Sequence, residues 1–207
     1  ALFYMAQICY QEKNYDGAML YASKSLSSFP YRDECYWIQG MCYSKKFAYY
    51  EAIPYFSKAI ELKEKADYYL QRSHCFFNRE NPDYEQAYRD SLRCQELENT
   101  EFNRLEVLVN KTRVDAKNGH KLEEAEIDIA VKTYAKTPQY YQKLGLIYHN
   151  SGYLEKAAYY YEKAITYNNK DKTSWYNLAL VMRSQGDSKK AAEKAEKAVS
   201  LGGVDIK

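Results

Sequence analysis

Proline and glycine are scarce in this chain, with four and eight copies in 207 residues. That scarcity argues against a β-sandwich or a loop-rich fold, which need turn residues at short intervals. Histidine is rarer still. His74, His120 and His149 stand far apart, and no G-x-S-x-G, H-E-x-x-H or phosphate-binding glycine loop accompanies them. The common hydrolase, metalloprotease and nucleotide-binding readings therefore lack their residues, and neither enzyme activity nor a cofactor is expected. No apolar run is long enough to cross a membrane, and no secretory signal pattern appears. An excess of one charge is also missing. Thirty basic against 28 acidic residues leave a net charge of +2, which makes no footprint for nucleic acid. The cysteines are Cys9, Cys35, Cys42, Cys75 and Cys94, an odd number without a C-x-x-C pair. They are expected to be small buried hydrophobes in a reducing, cytoplasmic setting. Cys35 and Cys42 share a helical spacing but lack the further ligands zinc would need.

Tyrosine is abundant, with 24 copies against 7 Phe and 2 Trp, and hydrophobic residues make up 46% of the chain. A chain so composed can bury a core, and tyrosine suits half-buried surface, since its hydroxyl must reach water or a partner. A rhythm runs through it. Ala18, Ala52, Ala87, Ala125, Ala157 and Ala191 follow one another at gaps of 34, 35, 38, 32 and 34 residues. A fixed period of this length marks stacked copies of one supersecondary unit.

The unit is clearest at Tyr141–Ala164. Tyr141, Leu144, Gly145 and Tyr148 lie at helical spacing, Asn-Ser-Gly-Tyr makes a turn with Gly152 as helix stop, and Ala157, Tyr161 and Ala164 share one face of a second helix. A small residue lets the partner helix approach, and an aromatic fills the neighbouring gap. Trp175, Leu178, Ala179, Met182, Gly186, Ala191, Ala195 and Ala198 repeat the unit downstream. Tyr36, Gly40, Tyr43, Ala52, Phe56 and Ala59 repeat it upstream, as do Leu2, Met5, Ala6, Cys9, Tyr15, Ala18, Ala22 and Pro30. Two units depart. The third, with Tyr69, Ser73, Phe76 and Ala87, carries about two extra turn residues over Asn78–Asp83, and Pro82 is placed at the start of the helix that follows. The fourth, Phe102–Tyr134, shows Leu105, Leu108, Val109 and Val114 but no small-residue notch. Register and curvature are expected to deviate, with a bend, between Cys94 and Pro138.

Trp175 with Leu178, and Leu144-Gly145 with Tyr148, match the W-x-x-L-G-x-x-Y signature of the tetratricopeptide repeat, which the chain resembles over its whole length. The RNA-reading pentatricopeptide family shares the period, but the near-neutral charge and this signature favour the protein-binding relative. The resemblance implies an all-α fold, a right-handed α-solenoid (superhelix) of helix-turn-helix repeats. It would form a single domain over 1–207, with repeats at 1–32, 33–65, 66–99, 100–137, 138–171 and 172–203. The implied function is a non-enzymatic scaffold or adaptor that holds a protein or peptide partner. The alternatives are a structural subunit of a multiprotein assembly, or a regulatory fragment of a longer protein.

In such an array the first helices line a concave groove. The resemblance thus places Phe3, Tyr4, Gln7 and Tyr10, then Trp37, Ile38, Met41 and Lys45, then Leu70, Gln71, His74, Phe77 and Asn78 along it. Gln142, Lys143, Leu146, His149 and Asn150, then Tyr176, Asn177, Leu180 and Arg183, continue it in a more polar half. For each aromatic the competing assignment is packing between adjacent first helices. The family's carboxylate clamp does not assemble: Asn177 fits, but Gln142, Leu146 and Gln71 stand where its partners belong. Asn110-Lys111-Thr112 spells a glycosylation sequon inside a helical stretch. The chain opens with Ala inside a helical pattern, leaving room for an upstream signal, anchor or repeat. The Ala-rich last helix runs to Gly202-Gly203 without a polar capping helix, which predicts self-association through the C-terminal end.

Overall fold

The computed structural model describes residues 1–132 and 137–202, the side chain of Pro138 excepted. Tyr134 and Gly203, cited above, lie outside the described residues, as do parts of the fourth and sixth repeats. The described residues form twelve α-helices and no strand. They are α1 Leu2–Gln11, α2 Tyr15–Ser28, α3 Asp33–Lys45, α4 Tyr49–Leu62, α5 Ala66–Asn78 and α6 Tyr84–Leu97. Then follow α7 Glu101–Lys117, α8 Glu124–Val131, α9 Pro138–Asn150, α10 Leu154–Tyr167, α11 Lys172–Ser184 and α12 Ser188–Ser200. The chain divides into two compact units, Ala1–Asn103 and Arg104–Lys207. The division falls in the first turn of α7, inside the stretch where the repeat pattern fades.

Side-chain caps start several helices. Asn14, Asp83, Thr137 and Asp187 each accept a backbone N–H two or three residues into the following helix, satisfying donors that the helix itself leaves open. Four of the hairpins turn in the same way. After the C-caps Glu12, Lys46, Ser151 and Gln185 comes one residue at positive φ: Lys13 at 61°, Phe47 at 61°, Gly152 at 81° and Gly186 at 87°. The next N–H then reaches back to close the helix, as Ala48 N–H does to Tyr43 O at 3.0 Å and Tyr153 N–H to Tyr148 O at 2.9 Å. The third hairpin has five residues between its helices, Arg79–Asp83, in place of three. These are the two extra residues read from the sequence. Pro82 precedes the cap Asp83 and so lies just outside α6, not in its first turn.

Close approach within a hairpin depends on one small residue. A Cβ on Gly40 would lie 2.8 Å from the Phe56 ring, and one on Gly145 would lie 2.6 Å from the Tyr161 ring. Where the first helix has Gly, the second therefore presents an aromatic. Where the first helix has Ala6 or Ala179, the corresponding residue 16 further on is Ala22 or Ala195. One of the six marker alanines fails this role. Ala18, Ala52, Ala87, Ala157 and Ala191 are buried as the fourth residue of their helices, but Ala125 is exposed and the fourth residue of α8 is Ile127, 0% exposed. The loop before α8 runs over six residues, 118–123, and shifts the register by two. The structural gaps are thus 40 and 30 residues on either side of Ile127.

In the first unit the core is built of several small clusters, such as Ala6, Ala18, Ala22, Cys35 and Cys42 between α1, α2 and α3. In the second it is one larger cluster around Leu144, Ile147, Tyr148 and Tyr161, which Ile127, Val131 and Leu178 join. All five cysteines are free and buried. Burial pushes the Cys42 thiol up to about 12 and that of Cys75 to about 11, so these sulfurs act as packing atoms rather than nucleophiles.

Candidate protein-binding face

In the first unit the first helices α1, α3 and α5 lie side by side, and a row of side chains joins them. Tyr10 of α1 meets Trp37 of α3 with ring centroids 6.0 Å apart. The Trp37 indole N–H donates to Asp67 Oδ2 of α5 at 2.7 Å, and Gln71 Nε2 donates to the other oxygen of Asp67 at 3.0 Å. Met41 is buried beneath Tyr10 and Trp37. Tyr4, Gln7, Lys45 and Asn78 are exposed; Tyr4 is 66% exposed.

The structure thus brings Tyr10, Trp37, Met41 and Gln71 together and leaves Tyr4 and Gln7 of α1 and Lys45 of α3 exposed. Ile38 is core, 1% exposed. Phe77 packs on Tyr84 of the next helix, with ring centroids 6.1 Å apart. The Asn78 amide bonds back to the His74 carbonyl. Asp67 is the group that sequence reasoning missed. Its role depends on an indole thirty residues away, and no motif announces it. Burial raises the Tyr10 phenol above its ordinary range, and the neighbouring Cys42, Tyr15 and Asp67 add to the effect. Tyr10 therefore remains a neutral donor.

The second unit is organised by polar pairs. Lys143 of α9 forms an ion pair with Glu106 of α7, with side chains only 14% and 7% exposed. Asn150 Nδ2 donates to Thr112 Oγ1 at 3.1 Å, and Gln142 Nε2 donates to Asp171 Oδ2 at 3.1 Å. Lys143, read from the sequence as a groove cation, is therefore committed to a carboxylate. His149 is half-buried on the same helix, and burial lowers its pKa. Asn177 is half-buried and Arg183 exposed on α11. The sequon is closed off, because Asn110 and Thr112 are 2% and 1% exposed within α7. Among the described residues, no three His, Cys, Asp or Glu side chains are placed to hold a metal ion, and no helix is long and apolar enough to cross a membrane.

The family model described as tetratricopeptide repeat matches residues 33–65 and 138–171, which are the hairpins α3–α4 and α9–α10 with their Gly–aromatic notches. The chain is a tetratricopeptide repeat protein. An uncharacterized protein of Methanocaldococcus jannaschii is 40% identical over 58 residues, 28% of this chain and 67% of that protein. A tetratricopeptide repeat protein from Parabacteroides merdae superposes with a TM-score of 0.78 at 15% identity, covering 99% of this chain and 78% of its own. PilW, a type IV pilus biogenesis factor, gives a TM-score of 0.68 at 17% identity, covering 96% of this chain and 91% of its own. At such identities these structures speak for the fold. The tetratricopeptide hairpin explains why α1, α3 and α5 share a face. Each second helix packs behind its own first helix, so the first helices become neighbours.

Proposed function

We propose that this tetratricopeptide repeat protein is a non-enzymatic scaffold that binds a peptide or protein partner on the face formed by α1, α3 and α5. The row Tyr10–Trp37–Asp67–Gln71 carries the reading. It is a braced, half-buried aromatic floor, flanked by Tyr4, Gln7 and Lys45, which are open to a partner. Aromatic anchors held rigidly beside polar groups give contact area at little ordering cost, which is the pattern of interaction hot spots. Within the second unit, the more polar surface of α9 and α11, with His149, Asn177 and Arg183, is a separate proposed binding face, and Lys143 acts there as a brace. The partner's identity follows from those few side chains and not from the fold.

A peptide-display selection on the full chain tests this reading, followed by affinity measurement of the selected peptides. Tyr4→Ala and Gln7→Ala alter exposed residues only and are expected to leave the melting temperature in place. Together they should weaken binding about tenfold or more, equivalent to about 1.4 kcal/mol. Selected peptides that bind both variants and Trp37→Phe as tightly as the parent would overturn the assignment of this face.

A further inference from the structure

The turn after α7 closes as the turns after α9 and α11 do. There the positive-φ residue is Gly152 or Gly186, and the C-cap before it is Ser151 or Gln185. After α7, Gly119 stands at φ 75°, and His120 N–H reaches back to Asp115 O at 2.8 Å. The residue before this glycine is Asn118. Of the chain's 11 asparagines it is the one followed by glycine.

That pairing joins two groups able to react with each other. The Gly119 nitrogen and Asn118 Cγ lie in one potential five-membered ring. A side chain on the following residue crowds the closure of such a ring, and glycine has none. A Cβ on Gly119 would meet nothing within 4 Å, and Asn118, Gly119 and His120 are all exposed, so water reaches the site. Other asparagines are held or hindered. The Asn14 side chain caps α2 and is followed by Tyr15. Asn78, Asn103 and Asn150 donate to His74 O, Glu98 O and Thr112 Oγ1, and Asn110 is 2% exposed. The Asn118 side chain makes no hydrogen bond among the described residues. One restraint acts on the attacking nitrogen, the bond from Gly119 N–H to Ala116 O at 3.2 Å. It lies at a helix end, where backbone bonds open most readily.

We propose that Asn118-Gly119 is a self-modifying site, converted without an enzyme to aspartate and isoaspartate. The Gly119 nitrogen forms a bond to Asn118 Cγ and gives its proton to water. The Cγ–Nδ2 bond breaks, and ammonia leaves. Water then opens the resulting succinimide. Opening at Cγ gives aspartate on the original backbone. Opening at the main-chain carbonyl gives isoaspartate, whose main chain is one atom longer. Either product places a carboxylate at the C-terminal end of α7, where the helix dipole disfavours it. The extra atom of isoaspartate falls inside the turn that His120 N–H and Asp115 O close, at the head of the loop 118–123 that sets the register of α8. The isoaspartate form therefore loosens the last turn of α7.

The full chain, aged in warm neutral buffer and mapped by peptide mass spectrometry, tests this. Amide-to-acid conversion at Asn118 should run about tenfold or more faster than at Asn168, which is exposed but followed by Asn169. Chromatography separates the aspartate and isoaspartate peptides, which share a mass. In urea the rate should rise only about two- to tenfold, the worth of the one Gly119–Ala116 hydrogen bond. Gly119→Ala should slow conversion about tenfold or more, and Asn118→Ser should release no ammonia from this peptide. The purified isoaspartate form should exchange the amides of residues 114–117 faster than the parent and those of α9–α12 at the parent's rate. Conversion at Asn118 no faster than at Asn168 would overturn the proposal, as would conversion undiminished in Gly119→Ala. A urea rate more than about a hundredfold above the folded rate would overturn it too, since the native turn would then lock the site. An isoaspartate form that exchanges like the parent would overturn the loosening of α7. The α1–α3–α5 row shares no residue with this turn, so failure of either reading leaves the other standing.

Discussion

The two units solve the same problem by different means. Each must hold successive first helices side by side. In Ala1–Asn103 this is done by rings and the indole bond, Tyr10 on Trp37 and Trp37 to Asp67, and by the Asp33 carboxylate of α3, which accepts from the Tyr68 hydroxyl of α5 and pairs with Lys65 at its N-cap. In Arg104–Lys207 it is done by a buried ion pair and two side-chain hydrogen bonds, Glu106–Lys143, Asn150–Thr112 and Gln142–Asp171. The difference teaches where each unit is vulnerable. An aromatic joint loses area gradually when it is trimmed. A buried charge pair fails abruptly, because the surviving charge is left without its partner in a poorly hydrated place.

The sharpest break in the comparison is therefore electrostatic. Glu106→Ala removes the carboxylate that pairs with the largely buried Lys143 ammonium and is expected to destabilise the second unit by about 3–5 kcal/mol. Trp37→Phe keeps most of the ring and loses one hydrogen bond to an exposed carboxylate, which should cost about 1 kcal/mol. Urea unfolding, read unit by unit through amide exchange, distinguishes the two effects. Similar losses from both substitutions would show that the two joints carry equal weight.

A second pair compares the notches. Phe56 and Tyr161 fill the same place against Gly40 and Gly145, and both are 0% exposed. Among the described residues the Tyr161 hydroxyl has no hydrogen-bond partner, and burial raises its pKa. An unmet buried hydroxyl is a cost that its apolar analogue avoids. Tyr161→Phe should stabilise the second unit by about 1 kcal/mol, and Phe56→Tyr should destabilise the first by about 1–2 kcal/mol. Thermal melts of the two variants should shift in opposite directions. A loss on Tyr161→Phe would mean that the hydroxyl is satisfied after all.

The notches were legible in the sequence because they are local. Gly40 and Phe56, or Gly145 and Tyr161, stand 16 residues apart in one hairpin, and their sizes compensate. The family, the all-helical fold and the two extra residues before Asp83 followed from the same short-range pattern. What could not be read depends on distance or on loop length. Ala125 keeps the rhythm of the alanines, yet the six-residue loop before α8 hands its place to Ile127; composition is unchanged by such a shift. Lys143 looked like a free groove cation because Glu106, its partner, lies 37 residues upstream in a helix without the consensus. Asp67 escaped notice for the same reason. The first helices could be assigned to a face from periodicity alone. Which of their side chains face a partner and which face each other is decided by contacts between hairpins.

The finest comparison lies in the turns. Phe47 and Gly152 occupy the same position, one residue past the first-helix C-cap, with φ of 61° and 81°. Glycine adopts that region freely, but a side chain there crowds the following carbonyl at about 1–2 kcal/mol. The Phe47 ring recovers little of this. It is 79% exposed and touches Tyr49 edge-on, with ring centroids 6.3 Å apart. Phe47→Gly relieves the crowding but adds freedom to the unfolded chain, so the net gain should be about 0.5–1 kcal/mol. Gly152→Ala brings the crowding in and should cost about 1 kcal/mol. A loss of stability on Phe47→Gly would show that the exposed ring contributes more to the fold than its single edge contact suggests. A gain in stability without loss of partner binding would show that the strained turn serves neither folding nor the proposed binding face.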